Sequence, residues 1–374
     1  MKGMAIRQKI YNLIREDRVG DKEVLYKIVE EAEKSSDCFL KCRELNPIDE
    51  YAYISEVQMI IKVLNHAGKY HNNNPINAIT FINSPKWLRE SLENASYLLS
   101  QVRRIRQEDK ESRYETSCQA ELDGMNGNIE DALQKWNQLL ERRELSPSDK
   151  VSVRRSIVFT RLKQAKHKWD GMDNKHIKKV VELLEDNLKQ GKSDKDLRLW
   201  LNAIRVLPNP PHLEEIAEKV AYWKHNTSSL DAVYYLYVLQ VLQVLSGSLT
   251  DFGLAEANIK ECHERSRYRR KNDISFEWLG SGESIKQLIH QENLGEWGGD
   301  GFWTKTSALR RVSGIISSIN GPAKGYIEIE ETGLKAFFVP GKHFVKSSEN
   351  NMVTCYLGFS YSGLRAWDVQ VVSW

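Results

Sequence analysis

A change of hydrophobic periodicity near Leu309 separates two kinds of structure in this 374-residue chain. Upstream, apolar residues recur at three- and four-residue spacing, which is typical of amphipathic helices. Downstream, short runs rich in β-branched and aromatic residues alternate with turns, which is typical of strands. The predicted strands cover 312–319, 325–330, 334–339, 353–359 and 366–372. We therefore expect a mainly α chain that ends in a small β domain.

The β segment has the strand count of an OB-fold, a five-stranded Greek-key barrel. Its short motifs also resemble those of cold-shock domains. They are Lys-Gly-Tyr-Ile-Glu-Ile at 324–329, Phe-Phe-Val at 337–339 and Gly-Leu-Arg-Ala-Trp-Asp-Val at 363–369. The resemblance implies an OB or cold-shock-like barrel over residues 309–374.

Residues 1–290 show the punctuation of helical hairpins, because clusters of Gly, Asn, Pro or Asp repeatedly interrupt the helical pattern. One segment carries a tetratricopeptide signature, in which small residues let paired helices approach, an aromatic ring fills the gap and a proline ends the second helix. The signature residues are Gly127, Ala132, Trp136, Leu139 and Pro147. A partial second copy has Phe39, Cys42 and Pro47. The pattern predicts a TPR-like α-solenoid of about twelve to fourteen helices.

Residues 291–308 form a predicted junction that is rich in glycine and aromatic residues. Four large aromatic side chains lie in it or next to it: Trp278, Trp297, Phe302 and Trp303. Flexible linkers are poor in aromatic residues, so we expect these side chains to be buried between the helices and the barrel. The alternative is a flexible tether.

The composition indicates a globular protein that does not cross a membrane. The most apolar stretch, 232–245, contains two glutamines and is shorter than a bilayer span requires. The first residues show no apolar segment of an export signal, and five scattered cysteines suit a reducing compartment. We expect a cytoplasmic protein.

No motif for catalysis, a cofactor or a metal is recognisable. The glycine clusters at 280–282 and 298–301 lack the Lys-Ser/Thr of a phosphate-binding loop, and no G-x-S-x-G nucleophile elbow occurs. Cys38 and Cys42 share one helical face, and Cys262 precedes His263. Neither pair supplies the four ligands of a structural zinc site. We expect a non-enzymatic protein without a cofactor or metal, and a hydrolase with an unrecognised site is a further alternative.

The positive charge is unevenly placed along the chain. The net charge is +3, and residues 305–374 alone hold eight Lys or Arg and five Asp or Glu. A modestly basic barrel leaves nucleic acid open as a ligand. On the cold-shock resemblance, Tyr326 and Phe338 would stack on unpaired bases. The basic residues near them in the sequence are Lys324, Lys335, Lys342 and His343.

Two departures from the cold-shock pattern argue against that stacking platform. Glu328 stands where the motif has its second aromatic residue, and Pro340 stands in place of a stacking histidine. A carboxylate in the platform would repel phosphates. Docking of a protein partner or interdomain packing is therefore at least as well supported as nucleic-acid binding by the barrel.

The basic run from residue 265 to residue 271 is a second candidate for phosphate contacts. Its arginines would contact backbone phosphates while Tyr268 stacks on a base. The run also follows a periodic helical segment, where cations complement the negative end of the helix dipole. Both interpretations stay open for its arginines, which are Arg265, Arg267, Arg269 and Arg270.

The order of these parts resembles the C-terminal portion of the interferon-induced sterile alpha motif domain-containing antiviral proteins. The likeness runs through degenerate tetratricopeptide helices, then Glu-Trp-Leu-Gly at 277–280, then Phe302 and Trp303. It continues in a barrel with Phe-Phe-Val-Pro at 337–340 and Leu-Gly-Phe at 357–359. Those proteins, and bacterial STAND defence ATPases of similar layout, place a nucleotide-binding switch upstream of such a region.

The resemblance implies a non-enzymatic regulatory and interaction region of a larger innate-immune antiviral or translation-control protein. Its expected partners are other proteins and upstream domains of the same polypeptide, so that it would act as a scaffold coupled to an NTPase or effector. The alternative function is binding of single-stranded RNA or DNA by the barrel, aided by the basic run.

Overall fold

The computed structural model describes residues 2–17, 22–106, 112–190, 193–249, 252–267 and 274–372. The predicted fold class is confirmed, because a mainly helical region is followed by a closed five-stranded β-barrel. The chain divides into two compact units, Met1–Met172 and Asp173–Trp374. The second unit contains the barrel together with the helices that directly precede it.

The first unit is built from helices that pack against their neighbours in the sequence. Its described helices are Lys2–Glu16 (α1), Lys22–Leu45 (α2), Glu50–Lys69 (α3), Pro75–Thr80 (α4), Lys86–Arg106 (α5), Arg113–Met125 (α6), Ile129–Leu140 (α7) and Pro147–Gln164 (α8). Asn74, Ser112 and Ser146 each cap the following helix by accepting a hydrogen bond from a backbone N–H of its first turn. These polar residues therefore mark helix starts.

The tetratricopeptide signature lies in the hairpin of α6 and α7. Ala132, Trp136 and Leu139 are all buried, and Gly127 turns the chain between the helices with a φ of +83°. Pro147 does not end a helix, which corrects its predicted role. It is the first residue of α8, where its missing N–H sacrifices no hydrogen bond.

The second unit has one helix that is buried on all sides. The described helices of this unit are Asn174–Gln190 (α9), Asp194–Arg205 (α10), Leu213–Thr227 (α11), Leu230–Leu245 (α12) and Gly253–Ser266 (α13). Every residue of α12 from Leu230 to Val244 is buried. The most apolar run of the sequence thus forms an interior helix. Of the helices that the structure describes, none is both long and apolar enough to cross a bilayer.

The β region is one sheet that closes on itself. Its strands are Ser275–Leu279 (β1), Leu288–His290 (β2), Arg311–Ile319 (β3), Gly325–Ile329 (β4), Lys335–Phe338 (β5), Met352–Ser360 (β6) and Gly363–Val371 (β7). Strands β3, β4 and β5 form an antiparallel meander, β5 pairs in parallel with β7, and β6 pairs antiparallel with β7 and β3. This circuit gives the five-stranded barrel of an OB-fold. The five predicted strands are confirmed, each within three residues of its observed ends.

The sheet begins earlier than the sequence predicts. Strands β1 and β2 lie within residues 1–290, which were assigned to helical repeats, and β1 extends the barrel by pairing with β6. Part of the sheet therefore lies before the predicted boundary at 290, whereas the five-stranded barrel itself begins at Arg311, close to the predicted boundary at 308. The sequence contains little signal for these strands, because β2 has only three residues and the other partner of β1, on β6, lies about eighty residues later. A Cβ on Gly358 would lie 2.4 Å from Ser275 Oγ, so the pairing requires that glycine.

Candidate functional site on the barrel and its attachment to the helices

Two tyrosines of α12 attach this helix to strand β6. Tyr234 donates a hydrogen bond from its hydroxyl to the carbonyl of Phe359 over 3.0 Å, and Tyr237 donates one to the carbonyl of Ser360. Both rings are buried. Burial raises the pKa of both phenols well above the usual value, so both hydroxyls remain donors at neutral pH.

A buried ion pair joins α10 to strand β1. Arg205 Nη2 lies 2.7 Å from Glu277 Oε1, and Glu277 is 0% exposed. The hydroxyl of Tyr235 donates a second hydrogen bond, of 3.3 Å, to the same carboxylate oxygen. A carboxylate removed from water needs an opposite charge or hydrogen-bond donors. These contacts therefore fix the position of β1 relative to α10 and α12.

A second buried carboxylate links α12 to the end of strand β6. Asp231 is 0% exposed and accepts a hydrogen bond of 2.7 Å from the hydroxyl of Tyr361. Arg198 of α10 forms an ion pair with the other carboxylate oxygen. Together with the contacts of Tyr234, Tyr237 and Glu277, these bonds form what we call the helix–barrel interface.

The predicted junction aromatics lie elsewhere. Trp278 is fully buried, but its ring contacts are Phe302 at 5.5 Å and Trp367 of β7 at 5.9 Å. Trp297 stacks on Trp303 at 4.1 Å and remains 41% exposed. These residues pack on one another and on the barrel. The polar contacts between the helices and the barrel come from α10 and α12 instead.

Phe338, a predicted stacking residue, belongs to the barrel core. It is 2% exposed, and its ring packs edge-on against Phe344 at 5.7 Å. A Cβ on Gly325 would lie 2.4 Å from the Phe338 ring, so the ring fills the space that this glycine leaves. A base cannot stack on a buried ring, so its predicted role is wrong. The pleat of β5 explains the error, because successive residues of a strand point to opposite faces.

Phe337 takes the outward position instead and lies directly opposite Tyr326 of β4. Both rings are half-buried, with their centroids 5.9 Å apart and nearly perpendicular. Lys324 Nζ lies 5.8 Å from the Tyr326 centroid, and the Arg365 guanidinium lies 4.7 Å from the Phe337 centroid. We call this surface the Tyr326–Phe337 face.

Helix α13 borders this face. Exposed Lys260 and His263 of α13 line one groove with Tyr326 and with exposed Lys335, and the groove has a volume of about 480 Å³. Glu256 lines it as well. The sequence places Lys335 near Tyr326 correctly, but only the fold brings α13 to this side of the barrel.

Glu328 opposes phosphate binding less than the sequence suggests. It is exposed on the same side of β4 as Tyr326, and its cross-strand neighbour is Lys335. Opposite charges at facing positions offset each other. The remaining predicted basic residues, Lys342 and His343, are exposed in the segment after β5.

The basic run is used partly for structure. Arg265 forms an ion pair with Glu261 over 3.0 Å and donates a hydrogen bond to the carbonyl of Ser228, the residue that ends α11. Arg267 is exposed just after α13. Arg269, Arg270 and the rest of the run lie outside the described residues. The helix-end interpretation therefore holds for Arg265.

The cysteines carry no sign of a reactive or metal-binding site. All five are free thiols, and burial raises the pKa of Cys118 and Cys355 to about 12, which disfavours the thiolate. Over the part of the chain that the structure describes, no three His, Cys, Asp or Glu side chains come together to hold a metal.

Comparison with known proteins adds no assignment. No family model matches the chain, and no curated protein matches its sequence.

Proposed function

We propose that this chain is a non-enzymatic interaction module, in which the OB barrel is the binding head and α10 and α12 hold it rigidly. The observation that carries this proposal is the helix–barrel interface. It buries two carboxylates, Glu277 and Asp231, each of which contacts one arginine and one tyrosine. A flexible tether would not need these buried contacts. A scaffold needs them, because they keep a bound partner in a fixed position relative to the helices.

Hydrogen exchange tests the rigid attachment. In increasing urea, amides of the barrel strands and of α12 are expected to exchange with one common free energy, because the buried interface makes them one cooperative unit. Mass spectrometry of peptides from β3, β6 and α12 measures this. Exchange of the barrel at lower urea than α12 would contradict the proposal. Proteolytic cutting at 298–301 should likewise fail to release a soluble barrel.

The resemblance to sterile alpha motif antiviral proteins supports a wider setting for this module. A rigid head on a helical support suits a regulatory region that docks proteins or upstream domains of the same polypeptide. We place the module in a cytoplasmic innate-immune or translation-control protein, coupled to an upstream NTPase or effector.

A second candidate function is single-stranded nucleic-acid binding on the Tyr326–Phe337 face. The observation that favours it is the outward aromatic pair with Lys324 and Arg365 beside it. Aromatic rings on adjacent strands with cations around them are the elements that sequence-tolerant single-strand binding uses. Lys260 and Lys335 extend the positive charge along the groove.

Substitution of the platform tests this second function. Tyr326→Ala is expected to weaken binding of a fluorescein-labelled twelve-nucleotide oligo(U) by about 1–3 kcal/mol, the contribution of one stacked base. Engagement of about three phosphates predicts a roughly 20-fold loss of affinity between 50 and 200 mM salt. Fluorescence anisotropy measures both, with Tyr222→Ala on α11 as the control because Tyr222 is 68% exposed.

Glu328→Gln should have the opposite effect on oligo(U) affinity. Removing a like-charged neighbour of the phosphates is expected to strengthen binding about twofold, as an unscreened repulsion across about 8 Å of water predicts. Unchanged affinity in both Tyr326→Ala and Glu328→Gln, or binding that ignores salt, would rule out this face as a nucleic-acid site.

A further inference from the structure

A cleft opens in the barrel where strands β5 and β7 separate. The two strands pair only at Phe337 and Arg365, and the residues that follow on both sides line a space of about 570 Å³. This volume lies within the range of small-ligand sites, about 300–1,000 Å³. We call it the β5–β7 cleft. It lies beyond the Tyr326–Phe337 face, and Phe337 and Arg365 belong to both.

One wall of the cleft is a set of preorganised aromatic rings. Phe302 is nearly parallel to Trp367, with an angle of 21° and centroids 6.1 Å apart. The stacked pair of Trp297 and Trp303 braces Trp367 from the side, since the Trp297 centroid lies 5.8 Å from that of Trp367. Phe302 and Trp367 are half-buried, so they keep accessible surface while their orientation is fixed.

The hairpin that carries Phe302 is closed by its own backbone hydrogen bonds. Gly298 donates a backbone hydrogen bond of 2.7 Å to Phe302, and Thr304 donates one of 3.2 Å to Glu296. Gly299 at its tip lines the cleft. The wall is therefore held in place before any ligand arrives, which lowers the entropy cost of binding.

The charges around the cleft favour an anion. Arg365 lines it with its guanidinium over the Phe337 ring, and exposed His343 lines it as well, next in the chain to exposed Lys342. The acidic residue of the lining, Asp368, lies 2.7 Å from Arg311 Nη1, and this ion pair offsets its charge.

We infer that the β5–β7 cleft binds a nucleotide of single-stranded nucleic acid, with the base against the Phe302–Trp367 wall and the phosphate near Arg365 and His343. Flat rings beside cations distinguish this ligand from an acidic peptide, which needs the cations but not the rings. The inference extends the second function proposed above: one strand would cross Tyr326 and Phe337 and enter the cleft past Arg365.

The test uses the full chain and a fluorescein-labelled twelve-nucleotide oligo(U). Phe302→Ala and His343→Glu are each expected to weaken binding about fivefold or more, as the loss of one stacked base or one phosphate contact predicts. His343 is exposed, so His343→Glu leaves the fold intact, and thermal melting checks Phe302→Ala. Gln190→Glu on α9 controls for the added negative charge.

Tryptophan fluorescence provides a local readout. Oligo(U) is expected to quench emission in the wild type, and Trp367→Phe should lose a large part of this quenching while it retains an aromatic wall. Quenching that is unchanged in Trp367→Phe, together with unchanged affinity in His343→Glu, would overturn the inference.

The outcomes separate the cleft from the neighbouring face. Weakening by Tyr326→Ala alone would leave the face as the nucleic-acid site and refute the cleft. Weakening by Phe302→Ala and His343→Glu alone would support the cleft and refute the face. A labelled Asp/Glu-rich decapeptide that binds more tightly than oligo(U), and is lost in His343→Glu, would make the cleft a peptide site and overturn the inference.

Discussion

Replacing Arg205 with methionine is expected to destabilise the second compact unit by about 3–5 kcal/mol, because it leaves the buried Glu277 carboxylate without its counter-charge. Glu277 is 0% exposed and would keep only the hydrogen bond from Tyr235. Urea unfolding followed by circular dichroism measures the loss. It should appear in the barrel and in α12 together, since both contact this pair.

Two controls show whether the pair itself is responsible. The double variant Arg205→Met/Glu277→Met should recover most of the lost stability, because apolar residues of similar volume replace a buried ion pair at little cost. Lys179→Met removes an exposed pair with Glu182 on α9 and should cost less than about 1 kcal/mol. A free energy of unfolding for Arg205→Met within about 1 kcal/mol of the wild type would contradict the role given to the helix–barrel interface.

Phe338→Ala and Phe337→Ala are expected to differ sharply although the residues are adjacent. Phe338 is buried against Phe344, so Phe338→Ala should cost about 3–5 kcal/mol of stability. Phe337 is half-buried on the outer surface, so Phe337→Ala should cost about 1 kcal/mol or less. Denaturant unfolding of both variants gives the comparison.

Oligonucleotide binding should depend on Phe337, the outward member of this pair. Phe337→Ala is expected to weaken oligo(U) binding by about 1–3 kcal/mol while the protein stays folded. Equal losses of stability in the two variants would mean that the outward and inward assignments on β5 are wrong. Normal oligo(U) affinity in Phe337→Ala would remove the link between the face and the cleft.

Local patterns determined the secondary structure. Alternation over 325–330 and 334–339 predicted β4 and β5, because a strand with one buried face repeats every two residues. Helix starts depend on local contacts in the same way, because the side chains of Ser112 and Ser146 accept hydrogen bonds from backbone N–H groups of the first turn. These patterns involve only residues that are close in the sequence, so they do not depend on contacts with distant parts of the chain.

Local patterns do not determine the register of a strand or the contacts between distant residues. The sequence contains both Phe337 and Phe338, but only the pairing of Tyr326 with Phe337 decides which ring faces outward. A shift of one residue exchanges the two faces of a strand, so composition alone cannot distinguish them. Base stacking was therefore predicted for Phe338, whereas the adjacent Phe337 faces outward.

What the tertiary structure alone decided is which distant residues meet. Arg205 and Glu277 are seventy-two residues apart, and Asp231 and Tyr361 are one hundred and thirty apart, yet each pair forms a buried polar contact. No periodicity in the sequence indicates such pairs. A buried charged group meets its partner only when two elements pack together and exclude water. The sequence thus determined a helical region and a barrel, while long-range packing fixed their attachment and assembled the binding surface.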